Sequence, residues 1–151
     1  LSSATVEIRQ IRQNFAFGSA INGNVLTNSA YADFASRAFN AVNMEFESTW
    51  DSNEHVRGVE YYDMVDDIIE WAQANGMRMR GHHLIGNTTG TSWTGTVPTA
   101  ELQAEMDQRL LSALTHYASL FENWDALNES LNGSYFNSRL GDAIIPWVYQ
   151  R

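Results

Sequence analysis

Short apolar runs alternate along the chain with longer segments in which apolar residues recur at helical spacing. Four of these runs have the length and composition of buried strands: residues 15–21, 41–47, 77–85 and 123–130. A weaker alternation of apolar and polar residues over 4–12 predicts one more strand near the start. Polar residues lie at or near the carboxyl end of each of the four stronger runs, as Asn22 does after the first.

Apolar residues recur at positions i, i+3, i+4 and i+7 after each strand-like run. This spacing predicts helices within residues 27–39, 61–76, 99–121 and 142–151. Thr27, Asn28 or Ser29 is the N-cap of the first, Gly76 ends the second, and Thr99 caps the third. The Gly- and Thr-rich segment 86–98 lacks periodicity and is long for a connector, so it is a candidate site loop.

Strand and helix therefore alternate four times, and no hairpin signal places neighbouring strands antiparallel. Alternating βα units predict an α/β fold, with a parallel sheet and crossover helices. Their spacing suits either a doubly wound sheet or half of a (βα)8 barrel.

Composition narrows the range of partners. The 151 residues suit one compact domain, and a formal net charge of −9 argues against nucleic acid and anionic membranes. No apolar stretch is long enough to span a membrane, and the absence of cysteine excludes disulfides and thiolate metal sites. Five tryptophans are compatible with sugar stacking and equally with ordinary core packing.

Candidate chemistry lies where the strands end. Glu45, His82 and the pair Asn128–Glu129 end the second, third and fourth runs. In both candidate folds ligands bind beyond the carboxyl ends of the strands, so we expect these side chains to converge. Glu129 is a candidate general acid. Asn128 and Glu129 reach one ligand together only if the strand ends or bulges there, because neighbours in a strand face opposite ways.

The same alternation argues against a metal site. His82 and His83 are neighbours in the third run, so we expect their rings on opposite faces of the strand. Neither a paired-histidine metal motif nor a phosphate-binding glycine loop is present in the sequence. We therefore expect no metal and no cofactor.

Several stretches together resemble a known family. FGSAIN, FNAVNMEFESTWD, ANGMRMRGHHLI and ENWDALNESL are similar, in order and spacing, to the first four strands of glycoside hydrolase family 10. These are endo-β-1,4-xylanases on a (βα)8 barrel, and the signatures WD-x-x-NE and RGH are specific. The resemblance implies the N-terminal half of such a barrel over residues 15–151. Residues 1–14 are then a lead-in segment or the end of an upstream module.

The resemblance also implies roles for individual residues. Glu129 is the acid/base, Asn128 binds the 2-hydroxyl of the sugar in the −1 subsite, His82 lines that subsite, and Glu45 contacts the next sugar. The substrate is a β-1,4-linked plant polysaccharide such as xylan, cleaved by a retaining two-carboxylate mechanism. The family's nucleophile lies on the seventh strand, outside this chain. A secreted or extracellular location is expected.

Some family positions are altered. Phe46 and Thr49 replace an Asn and a Lys, and Gly86 and Asn87 replace a Trp–His pair, so Trp93 is the candidate replacement for a stacking platform. These changes leave open an alternative, a non-catalytic half-barrel that binds carbohydrate or self-associates. An unrelated flavodoxin-like domain does not explain WDALNE and RGHH together.

A half-barrel exposes two unpaired strand edges, which are association sites. We predict that residues 1–151 in isolation pair with a second half-barrel fragment or with a copy of themselves. Size-exclusion chromatography with light scattering should show a mass above that of one chain. A stable monomer of 17.0 kDa would contradict the prediction.

Overall fold

A computed structural model describes residues 3–9, 11, 14–117 and 119–151. Its strands are β1 (Gly18–Ile21), β2 (Ala41–Met44), β3 (Arg78–Gly81), β4 (Ile85–Gly86), β5 (Asn123–Trp124) and β6 (Leu127–Asn128). β1, β2, β3 and β5 form one four-stranded sheet, in that order. β4 and β6 form a separate two-stranded sheet. All of these pairings are parallel, as the alternation of strands and helices predicts.

In the described part of the chain, five helices lie between successive strands of the main sheet, and two more follow β6. They are α1 (Asn24–Thr27), α2 (Ser29–Ala38), α3 (Trp50–Asn53), α4 (Asp63–Ala74), α5 (Thr99–Tyr117), α6 (Tyr135–Leu140) and α7 (Ile144–Val148). The side chain of Asn28 caps α2, and Gly76 follows α4 with a φ of 66°. Both features agree with the predicted helix ends.

The spatial order β1-β2-β3-β5 is also the order along the chain. A doubly wound sheet reverses direction at a switch point, whereas a (βα)8 barrel adds each strand beside the one before it. The fold is therefore part of a (βα) barrel with its helices on the outside.

The two faces of the sheet differ in chemistry. Ile21, Val42, Met44 and Met79 project from one face and are buried in a core with the helices. The residues between them project from the opposite face, which is the inner face of a barrel, and are small or polar: Ala20, Ala41, Asn43, Arg78 and Arg80. Alternation along each strand thus separates the core from the barrel interior.

Four expectations about the elements need correction. The predicted strand over 4–12 is wrong for residues 4–9 and 11, which are exposed and pair with no strand; residues 10 and 12 lie outside the described residues. The third and fourth runs each form two short strands rather than one. Thr99 is the first residue of α5 rather than its cap.

The polar segment after Glu129 contains a helix that its composition did not predict. α6 forms because Phe136 is fully buried, and Gly141, with a φ of 81°, ends the helix. The predicted helix over 142–151 is shorter than expected and is limited to α7.

Arg109 is the largest fully buried side chain of the described residues. Its guanidinium donates to the carbonyl oxygens of Ser48 at 2.7 Å and Leu84 at 3.4 Å, and to Oδ1 of Asn53 at 3.1 Å. Burial lowers the pKa of this guanidinium. Arg109 therefore ties α5 to the chain just beyond β2 and β3, where ligands bind in barrels.

Arg109→Met should destabilise the fold by about 3 kcal/mol or more, because three buried acceptors lose their donor. Urea unfolding of the purified protein measures this loss. Arg37→Ala is the control, since Arg37 forms an exposed ion pair with Asp33 on α2 and should cost less than about 0.5 kcal/mol. Equal stability of Arg109→Met and the parent would contradict this role.

Candidate functional site

The ends of the strands bring three side chains to the same level of the sheet. Asn43 pairs with Arg80, so Glu45 lies level with His82, two residues further along each strand. Gly81 pairs with Trp124, so His82 lies level with Asp125, one residue further. The Glu45 amide donates to the carbonyl oxygen of Ile21 at 2.9 Å, which extends this level to β1. The carboxyl edge of the sheet therefore carries a row of polar residues.

Asp125 positions His82. One carboxylate oxygen of Asp125 lies 2.9 Å from Nδ1 of His82, and the other accepts from Arg80. Ser48 in turn donates its hydroxyl to the carbonyl oxygen of His82. Asp125 is absent from the predicted site residues, although the WD of the WD-x-x-NE signature contains it. The pairing of β3 with β5 places Asp125 beside His82, and this pairing is the signal that could have revealed the role of Asp125.

The chain turns out of the sheet at Glu129. β6 ends at Asn128, and Glu129 has a φ of 57°, the left-handed conformation that favours glycine. Among the described residues it is the one non-glycine residue with a positive φ. The Glu129 carbonyl oxygen accepts from the amides of Asn132 at 3.1 Å and Gly133 at 2.7 Å. The strand therefore ends between Asn128 and Glu129, which is the condition for both side chains to reach one ligand.

Asn87 fixes this turn from the neighbouring segment. The backbone amide of Asn87 donates to the carbonyl oxygen of Asn128 at 3.0 Å, and its side-chain nitrogen donates to the carbonyl oxygen of Gly133 at 3.1 Å. The side-chain oxygen accepts from the Phe136 amide at 2.9 Å. Asn87 is fully buried. A residue that differs from the family pattern thus holds the loop that carries Glu129.

The predicted site residues differ in their surroundings. Glu45 and Glu129 are exposed, and within the described residues neither carboxylate forms a hydrogen bond, whereas Asn128 and His82 are partly buried. Trp93 packs edge-to-face on Trp50 and donates to the carbonyl oxygen of Glu54 at 2.7 Å. No hydrogen bond or ring contact of the described chain links Trp93 to the other four. Its role as a stacking platform stays a prediction.

His83 lies in a different environment from its neighbour. The rings of His82 and His83 contact each other edge-to-face, with centroids 4.9 Å apart, rather than facing opposite ways. The expectation of opposite faces is wrong because residues 82–84 lie between β3 and β4, outside the regular strands. Burial, and then the neighbouring His82 and Arg109, lower the pKa of His83 to about 4.

In the described ranges, no group of three or more His, Cys, Asp and Glu side chains is arranged to hold a metal ion. No helix in that part of the chain combines the length and the apolar character needed to cross a bilayer.

A polar row at the carboxyl edge of a partial barrel accords with the sequence comparison. The family model for glycosyl hydrolase family 10 matches residues 8–149. The chain belongs to glycosyl hydrolase family 10. The (βα) elements described above are therefore the N-terminal part of a family 10 barrel.

Proteins similar in sequence to this chain include an anti-sigma-I factor and several xylanases. The chain is 34% identical over 153 residues to the anti-sigma-I factor RsgI6 of Acetivibrio thermocellus, covering 100% of this chain and 20% of that protein. It is 29% identical over 141 residues to endo-1,4-beta-xylanase 3 of Arabidopsis thaliana, covering 92% of this chain and 19% of that protein. The chain thus spans about a fifth of the length of these relatives.

Solved family 10 structures share the fold. The intracellular xylanase TsXylA of Thermoanaerobacterium saccharolyticum, solved with xylotetraose, superposes with a TM-score of 0.82 at 21% identity. That match covers 90% of this chain and 48% of TsXylA. XylE of Penicillium canescens gives 0.81 at 19% identity, covering 88% of this chain and 43% of XylE. These likenesses confirm the partial (βα)8 barrel.

The lowered pKa of His83 predicts a pH-dependent stability. Above the ordinary pKa of 6.5 the His83 ring is neutral in both the folded and the unfolded state, so folding is not coupled to its protonation and its contribution to the free energy of unfolding is fully present. As the pH falls toward about 4, the unfolded state binds a proton that the folded state does not. The free energy of unfolding should therefore drop by up to about 3 kcal/mol over this window.

Urea unfolding between pH 7 and 4 measures this drop. His83→Gln should reduce the pH dependence, and His55→Gln, at an exposed histidine, should preserve it. Parallel pH profiles for the parent protein and His83→Gln would contradict the assignment.

Proposed function

We propose that this chain forms half of a glycosidase site that acts on a β-1,4-linked plant polysaccharide such as xylan. Glu129 is the acid/base, and the attacking carboxylate comes from outside these residues. Membership of family 10 and the xylanases among its relatives support this proposal. The observation that carries it is the left-handed backbone of Glu129 at the end of β6.

A non-glycine residue in the left-handed region costs free energy, and such residues cluster at functional sites. Here the turn ends the strand directly after Asn128 and leaves the Glu129 carboxylate exposed at the carboxyl edge. An exposed carboxylate there is available to protonate a glycosidic oxygen. In a retaining mechanism a second carboxylate about 5 Å away attacks the anomeric carbon.

Neighbouring residues have supporting roles in this proposal. Asn128 binds the 2-hydroxyl of the sugar in the −1 subsite, beside the acid. His82, oriented by Asp125, lines the same subsite. Glu45, one step beyond β2, contacts the next sugar outward. The acid and its hydroxyl-binding partner are then adjacent because one sugar ring needs both.

A second candidate function is recognition of the same polysaccharide without cleavage. It is favoured by one observation: the relative with 34% identity over the whole chain is named as an anti-sigma-I factor rather than as a glycosidase. The altered positions Phe46, Thr49 and Gly86 are compatible with it. Binding of xylo-oligosaccharide by the full-length protein without release of shorter products would support this candidate over the first.

Glu129→Gln tests the role of the acid. In the full-length protein, hydrolysis of xylo-oligosaccharides should fall about 10²- to 10⁴-fold, because a poor leaving group needs the proton. Hydrolysis of an aryl xyloside with an activated leaving group should fall much less in the glycosylation step. Initial rates on both substrates, with Glu70→Gln on the exposed face of α4 as control, measure the difference. Equal losses on both substrates would remove Glu129 from this role.

A further inference from the structure

A cavity of about 250 Å³ opens beside the proposed catalytic edge. One wall is formed by residues that follow β2, namely Phe46, Thr49, Trp50, Asp51 and Ser52, and the other by residues that follow β3, namely His83, Gly86, Thr88, Thr89 and Gly90. It therefore lies beyond the carboxyl ends of two adjacent strands, where barrels bind ligands. Its volume is below the roughly 300 Å³ of the smallest pockets for drug-sized ligands, so it suits one ring-sized group.

The shape of the cavity depends on a residue without a side chain. A Cβ at Gly86 would lie 2.6 Å from Cε1 of His83 and 3.0 Å from Nε2. The His83 ring thus occupies space that any side chain at position 86 would need. His83 and Gly86 therefore line the cavity together with Thr88 and Thr89.

The lining has the chemistry of a site for a neutral, hydroxyl-rich group. Phe46 is 63% exposed, which makes its ring available as an apolar surface. Ser52, Thr88 and Thr89 provide hydroxyls that donate and accept hydrogen bonds. An aromatic face beside several hydroxyls suits a sugar ring, which has apolar C–H faces and polar edges.

The charge of the lining selects against anions. Asp51 carries the one formal charge among the described residues that line the cavity, because His83 is neutral at ordinary pH. One oxygen of Asp51 accepts from the Ser92 amide at 2.6 Å, which holds the carboxylate in place. Arg109 is near His83, but it is fully buried and donates to two carbonyls and to Asn53, so it is enclosed and does not line the cavity.

We propose that this cavity binds one uncharged sugar residue of the polysaccharide, stacked on Phe46, and that Asp51 disfavours an acidic sugar there. The inference rests on the proposed function, since it names the class of glycan that the same site accepts. It assigns specificity to Phe46 and Asp51, two residues outside the catalytic group.

The test measures binding by the full-length protein carrying Glu129→Gln, which suppresses turnover. Titration calorimetry compares xylotetraose with a xylo-oligosaccharide of equal length that bears a glucuronic acid branch. Xylotetraose should bind more tightly. Phe46→Ala should weaken its binding by about three- to tenfold, and Phe46→Tyr should retain it. Phe34→Ala, an equally exposed phenylalanine on α2, should have no effect.

Asp51→Asn separates charge from shape, because the amide oxygen can still accept from the Ser92 amide. The acidic oligosaccharide should then bind about two- to fivefold more tightly, while xylotetraose binding is unchanged. If xylotetraose binds but Phe46→Ala matches Phe34→Ala, or if the acidic branch never discriminates, the cavity assignment is overturned and the proposed function stands. If xylotetraose does not bind at all, both fail.

Discussion

The buried guanidinium of Arg109 is the interaction on which the carboxyl edge of the sheet depends. A fully buried cation is costly unless every donor is engaged, and here the acceptors are the Ser48 and Leu84 carbonyls and the Asn53 side chain. Ser48 and Leu84 lie just beyond β2 and β3, and Asn53 is the last residue of α3. A single side chain of α5 thus fixes the distance between two strand ends. The desolvation cost of the guanidinium is offset by its charge-assisted hydrogen bonds to these acceptors.

From this anchor, successive hydrogen bonds extend toward the proposed catalytic residues. Ser48 binds the His82 carbonyl, and Asp125 binds the His82 ring. On the other side, Asn87 joins the end of β6 to the segment that follows Glu129. The exposed groups that we assign to chemistry therefore rest on polar groups that are partly or fully buried. Such support is what precise positioning of a substrate requires.

Periodicity predicted the parts of the fold that depend on nearby residues. Helical spacing over 61–76 predicts an apolar stripe, of which Val65, Ile68, Ile69 and Ala72 are buried against the sheet, whereas Tyr61 and Met64 at its start are more than half exposed. Phe34 belongs to a similar stripe yet is 58% exposed, since its exposure depends on what packs against α2. Spacing alone could not show that the fourth run breaks at Asp125, which leaves the strand to bind His82 and Arg80.

The sequence alone also could not predict roles that depend on partners far away along the chain. Asn87 first stands out as a departure from the family pattern, and its function is visible only beside Gly133 and Phe136. The central claim is that the strand ends form one glycan site around Glu129. A crystal structure of the full-length protein with xylotetraose tests it most directly. We predict a glycosidic oxygen within about 3 Å of the Glu129 carboxylate and a sugar hydroxyl bound to Asn128. Oligosaccharide bound away from the carboxyl ends of the strands would contradict the account.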